Sequence, residues 1–230
     1  MKPIAGILIV FWLLTASSSG FAQDPVRKRP LVDDVTSPSL QEILERVERR
    51  YDVKGFTALF FQTSILKAMD IRDNAQGKIY IKRPGKMRWE YVSPEPQTII
   101  SDGNELWIYR PDDNQVLIGT APEFFGDGKG ASFLSDIRMM RNNFTISMED
   151  RPASDNHELK LVPLKNNSDL ATIYVSVSWA TFDIEQITTV NTYGDETRIV
   201  FINPQYGMDL EDNLFVLDIP EGAEILTIDQ

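Results

Sequence analysis

Apolar residues near the start of the folded region recur with the 3.6-residue period of a helix. They share one stripe over three turns, formed by Leu40, Ile43, Leu44, Val47 and Tyr51. Ser39 and Glu42 fit a capping box at the start of this stripe. The pattern therefore predicts an amphipathic helix over residues 39–51.

After Gly55 the period falls to two, which is typical of strands with one buried face. Short polar turns divide this region, and no helices alternate with the strands. Eleven strands are predicted, at 56–65, 77–82, 86–92, 97–101, 105–109, 115–120, 144–149, 158–164, 172–179, 184–192 and 197–202. Such a series predicts one large antiparallel sheet, which must curl or close at this size.

A second apolar stripe at helical spacing interrupts the strands. It consists of Phe133, Leu134, Ile137 and Met140 and predicts a helix over about 131–141. Two helices would then cover one curved sheet. Together the strand faces and helical stripes carry more apolar surface than a single sheet layer can hide. A filled core and a cavity therefore both remain possible.

The N-terminal segment has the features of a secretory signal peptide. Lys2 precedes an apolar run over 4–16, and small residues at a cleavage site follow. The run is shorter than the roughly 20 residues of a membrane-spanning helix. We expect residues 1–22 to be removed on export and the mature protein to be soluble. Residues 23–38 are predicted to be a flexible tether, and residues 39–230 a single domain.

Composition excludes several kinds of site. The chain has no cysteine, so thiolate chemistry, cysteine metal sites and a cysteine-linked lipid anchor are excluded. His157 is the single histidine, which excludes a site with two imidazoles. We expect neither a metal nor another cofactor. The formal net charge of −11 repels phosphate backbones, so nucleic acid is not an expected partner.

The remaining polar motifs do not predict catalysis. The glycine-rich loop "GDGKGAS" (126–132) lacks the spacing of a phosphate-binding loop and is interpreted as a hinge. Adjacent carboxylates, such as Asp112 and Asp113, lie in predicted turns, where aspartate is common. His157 lies in "SDNHE", which we interpret as an exposed turn. An exported lipid-dependent enzyme would need a nucleophile and a base, and the pattern indicates neither.

The stretch "IKRPGKMRWEYVSPEP" (81–96) combines an apolar strand face with one arginine. Met87, Trp89 and Tyr91 share that face, and Arg83 lies at the preceding turn. Methionine fills irregular cores but is also common where varied apolar ligands bind. Arg83 is either an exposed turn residue or a planar donor that holds carbonyl oxygens of a loop or helix end. Composition alone does not decide between these alternatives.

Three segments resemble the periplasmic outer-membrane lipoprotein carrier family, LolA. They are "GFTALFFQ" (55–62), "GKIYIKRPGKMRWEYVSPEPQTIISDGNELWIYRPDDNQV" (77–116) and the tail "FVLDIPEGAEI" (215–225). The shared pattern is a Phe-x-Gln strand, an Arg-Pro turn before an aromatic-rich strand, and a Ser-Asp-Gly turn before Leu-Trp-x-Tyr. The central block is the specific part of the resemblance, and the order runs through most of the mature chain.

The resemblance implies a fold and a function. The implied fold is an incomplete, strongly curved β-barrel of about eleven antiparallel strands with a helical lid. The implied function is that of a monomeric periplasmic carrier. Such a carrier accepts outer-membrane-destined lipoproteins from an inner-membrane ABC transporter and shields their acyl chains. It then delivers them to an outer-membrane acceptor, where one exists. A periplasmic lipid or lipoprotein sensor with this fold is the alternative.

The resemblance also implies site residues. Arg83 corresponds to the family's arginine that latches the lid through backbone carbonyls, and Trp89 matches an aromatic position. Met87 departs from the family, which usually has an aromatic residue there. The residues expected to line the acyl cavity or its mouth are Met87, Trp89, Tyr91, Phe60, Leu106, Ile108, Val175, Val177, Phe133, Ile137 and Met140.

Overall fold

The computed structural model describes residues 37–121, 132–149, 156–165 and 170–228. The predicted signal peptide and nearly all of the predicted tether lie outside these ranges, as does the glycine-rich loop before Ser132. Within the described residues, no helix is long and apolar enough to cross a membrane.

Within the described ranges, twelve strands form one sheet. They are β1 (Gly55–Leu66), β2 (Ile71–Lys82), β3 (Lys86–Ser93), β4 (Gln97–Ser101), β5 (Glu105–Arg110), β6 (Gln115–Thr120), β7 (Phe144–Glu149), β8 (Asn156–Pro163), β9 (Thr172–Ser178), β10 (Ile184–Val190), β11 (Glu196–Tyr206) and β12 (Glu224–Thr227). Their order is β12-β6-β5-β4-β3-β2-β1-β11-β10-β9-β8-β7. All pairs are antiparallel except β12 with β6. In the described part of the chain β7 and β12 each have one neighbour, so the sheet stays open.

The predicted open antiparallel sheet is confirmed, with one more strand than expected. The additional strand, β12, is short and exposed on all four residues, so it carries no alternation that would predict it. β2 begins at Ile71 instead of residue 77, because residues 71–76 pair with the far half of β1 while staying mostly exposed. A strand segment that is exposed on both faces shows no alternation of apolar and polar residues in the sequence.

The first helix, α1 (Leu40–Tyr51), forms as predicted. Ser39 caps it: the Glu42 backbone N–H donates to the Ser39 hydroxyl, and the Glu42 carboxylate accepts from the Ser39 N–H. The helix is fixed to the sheet at its C-terminal end. The Ile184 N–H donates to the Tyr51 hydroxyl at 3.0 Å, and the Arg50 guanidinium pairs with Asp183. α1 is therefore a fixed element over the sheet.

The continuous helix expected over about 131–141 is wrong. Residues 132–134 form a 3-10 turn, and a separate short helix, α2 (Met139–Asn143), follows. Local side-chain bonds compete with the helical backbone between them. The Asp136 carboxylate accepts from both the backbone N–H and the guanidinium of Arg138, at 3.2 and 2.9 Å. We name residues 132–143 the lid segment.

A second packing layer covers part of the convex face. Leu210 and Phe215 from the C-terminal segment pack on Ile100, with Tyr80 and Trp107 beside them. The Lys82 ammonium donates to the Leu210 carbonyl at 2.7 Å and fixes this segment to β2. α1 and the lid segment cover the opposite, concave face.

Candidate functional site

The side chains expected to line an acyl cavity gather on the concave face of the sheet. Ten of them are at most 6% exposed, and Tyr91 packs half-buried against them in the same cluster. The sheet supplies Phe60, Met87, Trp89, Tyr91, Leu106, Ile108, Val175 and Val177, and the lid segment supplies Phe133, Ile137 and Met140. The lid side chains therefore occupy the concavity together with those of the sheet.

Three aromatic rings form the centre of this cluster. Phe60 meets Trp89 and Tyr91 edge to face, with centroids 4.9 Å apart in each pair. The Tyr91 hydroxyl donates to the Gln62 side chain at 3.0 Å, and burial raises the pKa of Tyr91 to about 12. The indole Nε1 of Trp89 is buried without a hydrogen-bond acceptor among the described residues.

Gly77 makes room for the Phe60 ring. A Cβ at Gly77 would lie 2.9 Å from Phe60 Cε1 and 1.9 Å from the Glu90 carbonyl oxygen. The pairing of β2 with β3 also shifts register between Gln76 and Gly77. The sequence shows only a glycine at the start of a predicted strand. The close approach of Phe60 and the Glu90 carbonyl to Gly77 appears only in the fold.

Pockets flank the lid segment on two sides. A pocket of about 450 Å³ lies toward α1, lined by Glu45, Glu48, Arg49, Asp52, Arg83, Ile137 and Arg138. A second of about 370 Å³ lies toward the strand turns, lined by Pro84, Gly85, Met87, Ser101, Gly103, Ala121, Ser132, Ser135, Asp136 and Met139. The turn between β2 and β3 borders both pockets, so it lies beneath the lid segment.

Arg83 is half-buried at this turn, and its backbone N–H donates to the Lys54 carbonyl at 2.9 Å. Its side-chain Nε and Nη2 atoms are inaccessible and have no acceptor among the described residues. Burial lowers the Arg83 pKa and the charge of Arg138 lowers it further, while the charges of Asp136 and Asp52 act in the opposite direction. The guanidinium therefore lies between α1 and the lid segment among charges of both signs, with two donor nitrogens unpaired in the described part of the chain.

The lid segment is bonded to α1 through Arg141. The Arg141 Nε pairs with the Glu48 carboxylate, and its Nη1 donates to the Gln41 side chain at 2.9 Å. Arg138 bonds within the lid segment itself, to Asp136. Sequence reasoning missed Arg141, because nothing local links it to residues about 100 positions earlier.

His157 is not in an exposed turn, contrary to the sequence-based interpretation. It lies on β8, is 4% exposed, and stacks near Trp179 and Phe182 with centroids 4.3 and 5.7 Å away. Its Nε2 is buried without a partner in the described part of the chain. Burial, followed by the charge of Arg46, lowers its pKa. The polar "SDNHE" context conceals this burial, because the rings of Trp179 and Phe182 come against the residue only in the fold.

Comparison with known proteins agrees with this architecture. The family described as outer membrane lipoprotein carrier protein LolA matches residues 51–218. The chain is 31% identical over 155 residues to the outer-membrane lipoprotein carrier protein of Methylococcus capsulatus, covering 67% of this chain and 72% of that protein. It is 27% identical over 176 residues to the carrier of Neisseria meningitidis serogroup C, covering 76% and 82%.

Among solved structures, an uncharacterized conserved protein from Thermus thermophilus superposes with a TM-score of 0.53 at 15% identity. The match covers 83% of this chain and 99% of that one, and it supports the fold alone. The family assignment rests on the sequence match, which spans α1's last residue through the C-terminal segment on the convex face. The chain belongs to the outer-membrane lipoprotein carrier family, LolA.

Proposed function

We propose that this protein is a periplasmic carrier that binds the acyl chains of lipoproteins without covalent chemistry. It receives them from an inner-membrane ABC transporter and delivers them to an acceptor at the outer membrane. The observation that supports this most directly is the packing of the lid segment. Its apolar residues Phe133, Ile137 and Met140 fill the concave face of an open sheet, and acyl chains can replace them there.

The energetics of such an exchange are nearly balanced. Burying one methylene group contributes about 0.8 kcal/mol relative to water, so acyl chains strongly favour any dry site. A bilayer buries the same methylenes, so transfer between membrane and carrier changes little of the total apolar burial. Modest differences in lid closure therefore set the direction of transfer between membrane and carrier.

We propose that Arg83 and Arg141 control that closure. Arg83 attracts Asp136 of the lid segment and Asp52 beside α1, and Arg141 bonds the lid segment to Glu48. Because α1 is fixed to the sheet, these interactions hold the lid segment against the concave face when no cargo is bound. Cargo entry requires that the lid segment move away from α1.

A spheroplast release assay tests the proposed function. Purified protein starting at Gln23 is added to spheroplasts, and the soluble fraction is examined for outer-membrane-destined lipoproteins bound to it. We expect ATP-dependent release into a stable complex. If a known carrier releases lipoproteins from the same spheroplasts and this protein does not, the carrier function is wrong.

A further inference from the structure

Two donor nitrogens beneath the lid segment have no hydrogen-bond acceptor among the described residues. The Nε and Nη2 atoms of Arg83 are inaccessible and unpaired among the described residues. Leaving donors of a charged group buried and unpaired is costly, and native structures rarely do so without a reason. The guanidinium is planar and directs its donors in a fixed fork, so it is suited to adjacent acceptor atoms.

The position of Arg83 indicates what those acceptors are attached to. Its pocket is bounded on one side by Ile137, which is 2% exposed and belongs to the apolar cluster. The next turn residues, Pro84 and Gly85, line the other pocket together with Met87. A ligand at Arg83 therefore lies where a polar pocket meets the apolar surface, as the ester group of an acyl chain does.

The charges of the pocket disfavour an anionic ligand. Three arginines and three carboxylates line it: Arg49, Arg83, Arg138, Glu45, Glu48 and Asp52. A further carboxylate, Asp136, acts on Arg83 from the lid segment. A phosphate or free fatty-acid carboxylate would thus meet repulsion as well as attraction. Neutral carbonyl oxygens accept from the guanidinium without that repulsion.

We infer that Arg83 binds the ester carbonyl oxygens of the cargo's acyl chains, in addition to its electrostatic hold on the lid segment. This inference rests on the proposed carrier function and names the chemical group that the site recognises. The unpaired donor atoms, Nε and Nη2, make the contact. Asp52, next to the end of α1, stays beside the guanidinium when the lid segment and its Asp136 move away. The carrier therefore distinguishes esterified chains from equally apolar chains that lack carbonyls.

Two synthetic probes test this. One is a cysteinyl lipopeptide with two ester-linked palmitoyl chains and one amide-linked chain. The other is identical except that ether-linked hexadecyl chains replace the esters. Dissociation constants are measured for wild type, Arg83→Met and Arg83→Lys, each shown to be folded by its thermal transition. Arg110→Met is the control, since Arg110 is exposed at the end of β5 and its loss removes the same charge.

We expect wild type and Arg110→Met to prefer the ester probe by about tenfold, the contribution of a charged hydrogen bond. Arg83→Met abolishes the preference, and Arg83→Lys, which keeps charge without the fork, retains part of it. Both probes displace the same lid segment, so a variant that changes lid closure changes both affinities equally. The ratio of the ester-probe affinity to the ether-probe affinity therefore reports only on the ester groups. The inference is wrong if Arg83→Met weakens the affinities for both probes equally, or if wild type has no preference for the ester probe. Neither result contradicts the carrier function. Failure of wild type to bind either probe overturns both.

Discussion

At the scale of single residues, the turn between β2 and β3 concentrates the properties that a lid latch requires. Arg83 is half-buried and lies between charges on α1's end and on the lid segment. It has no salt bridge to either among the described residues. A hold of this kind is weak enough to be reversed, which is what a carrier must do in each cycle.

Arg83→Leu should therefore separate loading from release. Removing the positive charge weakens the closed, empty state, so acyl chains compete more successfully with the lid segment. We expect the variant to load lipoproteins from spheroplasts but to deliver or recycle them poorly. Loading and delivery are measured in sequence, with incorporation into outer-membrane fractions as the second readout. Delivery at the wild-type rate contradicts the latch role.

Gly77 is a second residue on which the concave face depends. Gly77→Ala places a Cβ against the Glu90 carbonyl and the Phe60 ring, so the strand pair and the ring must shift. We expect the free energy of unfolding to fall by about 1–3 kcal/mol, the cost of overpacking. Urea denaturation measures it. Gly119→Ala is the control, because its nearest neighbour is the Ile228 side chain at 3.3 Å; equal effects would contradict the explanation.

His157 gives the protein a defined response to acid. Its pKa is lowered in the folded state by burial, so the unfolded chain takes up a proton more readily. The free energy of unfolding should therefore fall as pH drops below about 6.5, the unfolded value. Since His157 is the only histidine, its NMR titration has a single source. His157→Phe should lose much of the change in stability between pH 7 and 5; an unaltered pH dependence contradicts this assignment.

At the scale of secondary-structure elements, the two covering elements differ in how they are attached. α1 is fixed to β10 by Tyr51 and by the Arg50–Asp183 pair, and Arg50 also lies 4.0 Å above the Tyr206 ring. The lid segment is broken into a 3-10 turn and a short helix. Arg141 bonds the lid segment to Glu48 and Gln41 of α1. The lid segment is accordingly the element that we expect to move.

Arg141→Ala should ease that movement. Losing the bonds to Glu48 and Gln41 favours the open state and raises the fraction of protein that can bind cargo. We expect the affinity for a fluorescent acyl probe to rise about two- to fivefold, because a half-exposed ion pair contributes roughly 0.5–1 kcal/mol. Arg110→Ala is the matched control, since it removes the same charge from an exposed position at the end of β5. A lower affinity in Arg141→Ala would show that the bond supports the loaded state instead.

At the scale of the whole molecule, one sheet carries two different layers. The C-terminal segment covers part of the convex face, with Phe215 fully buried. The concave face is covered by α1 and by the lid segment. Under the proposed movement of the lid segment, the sheet changes its contents without unfolding, because no strand has to leave its neighbour. In the described part of the chain, the edge strands β7 and β12 are not paired with each other.

The charge of the whole molecule should limit its contact with membranes. A formal net charge of −11 opposes adhesion to anionic phospholipid. We expect no more sedimentation with phosphatidylglycerol vesicles than with phosphatidylcholine vesicles at about 0.1 M salt, where screening is moderate. Stronger binding to the anionic vesicles that disappears at high salt would contradict this expectation and indicate a local basic docking surface.

The sequence by itself determined the elements whose evidence is periodic. The stripe of α1 and the alternation of strands such as β3 and β9 are local patterns, because burial on one face selects apolar residues at a fixed spacing. The same patterns identified the apolar side chains of the concave cluster, and the Arg-Pro turn and its aromatic strand indicated the family. β12 and the first half of β2 were missed, because strands exposed on both faces carry no period.

The tertiary structure alone decided which polar groups meet. The burial of His157, the approach of Phe60 to Gly77 and the bond from Arg141 to Glu48 each join residues far apart in the chain. The break in the lid segment came from the side chain of Asp136, which offers the backbone an alternative to the helix. Hydrophobic spacing records which face is buried, but it does not record what each face is buried against. The unpaired donors of Arg83 could therefore be found only after the sheet had curved and its two covers had come together.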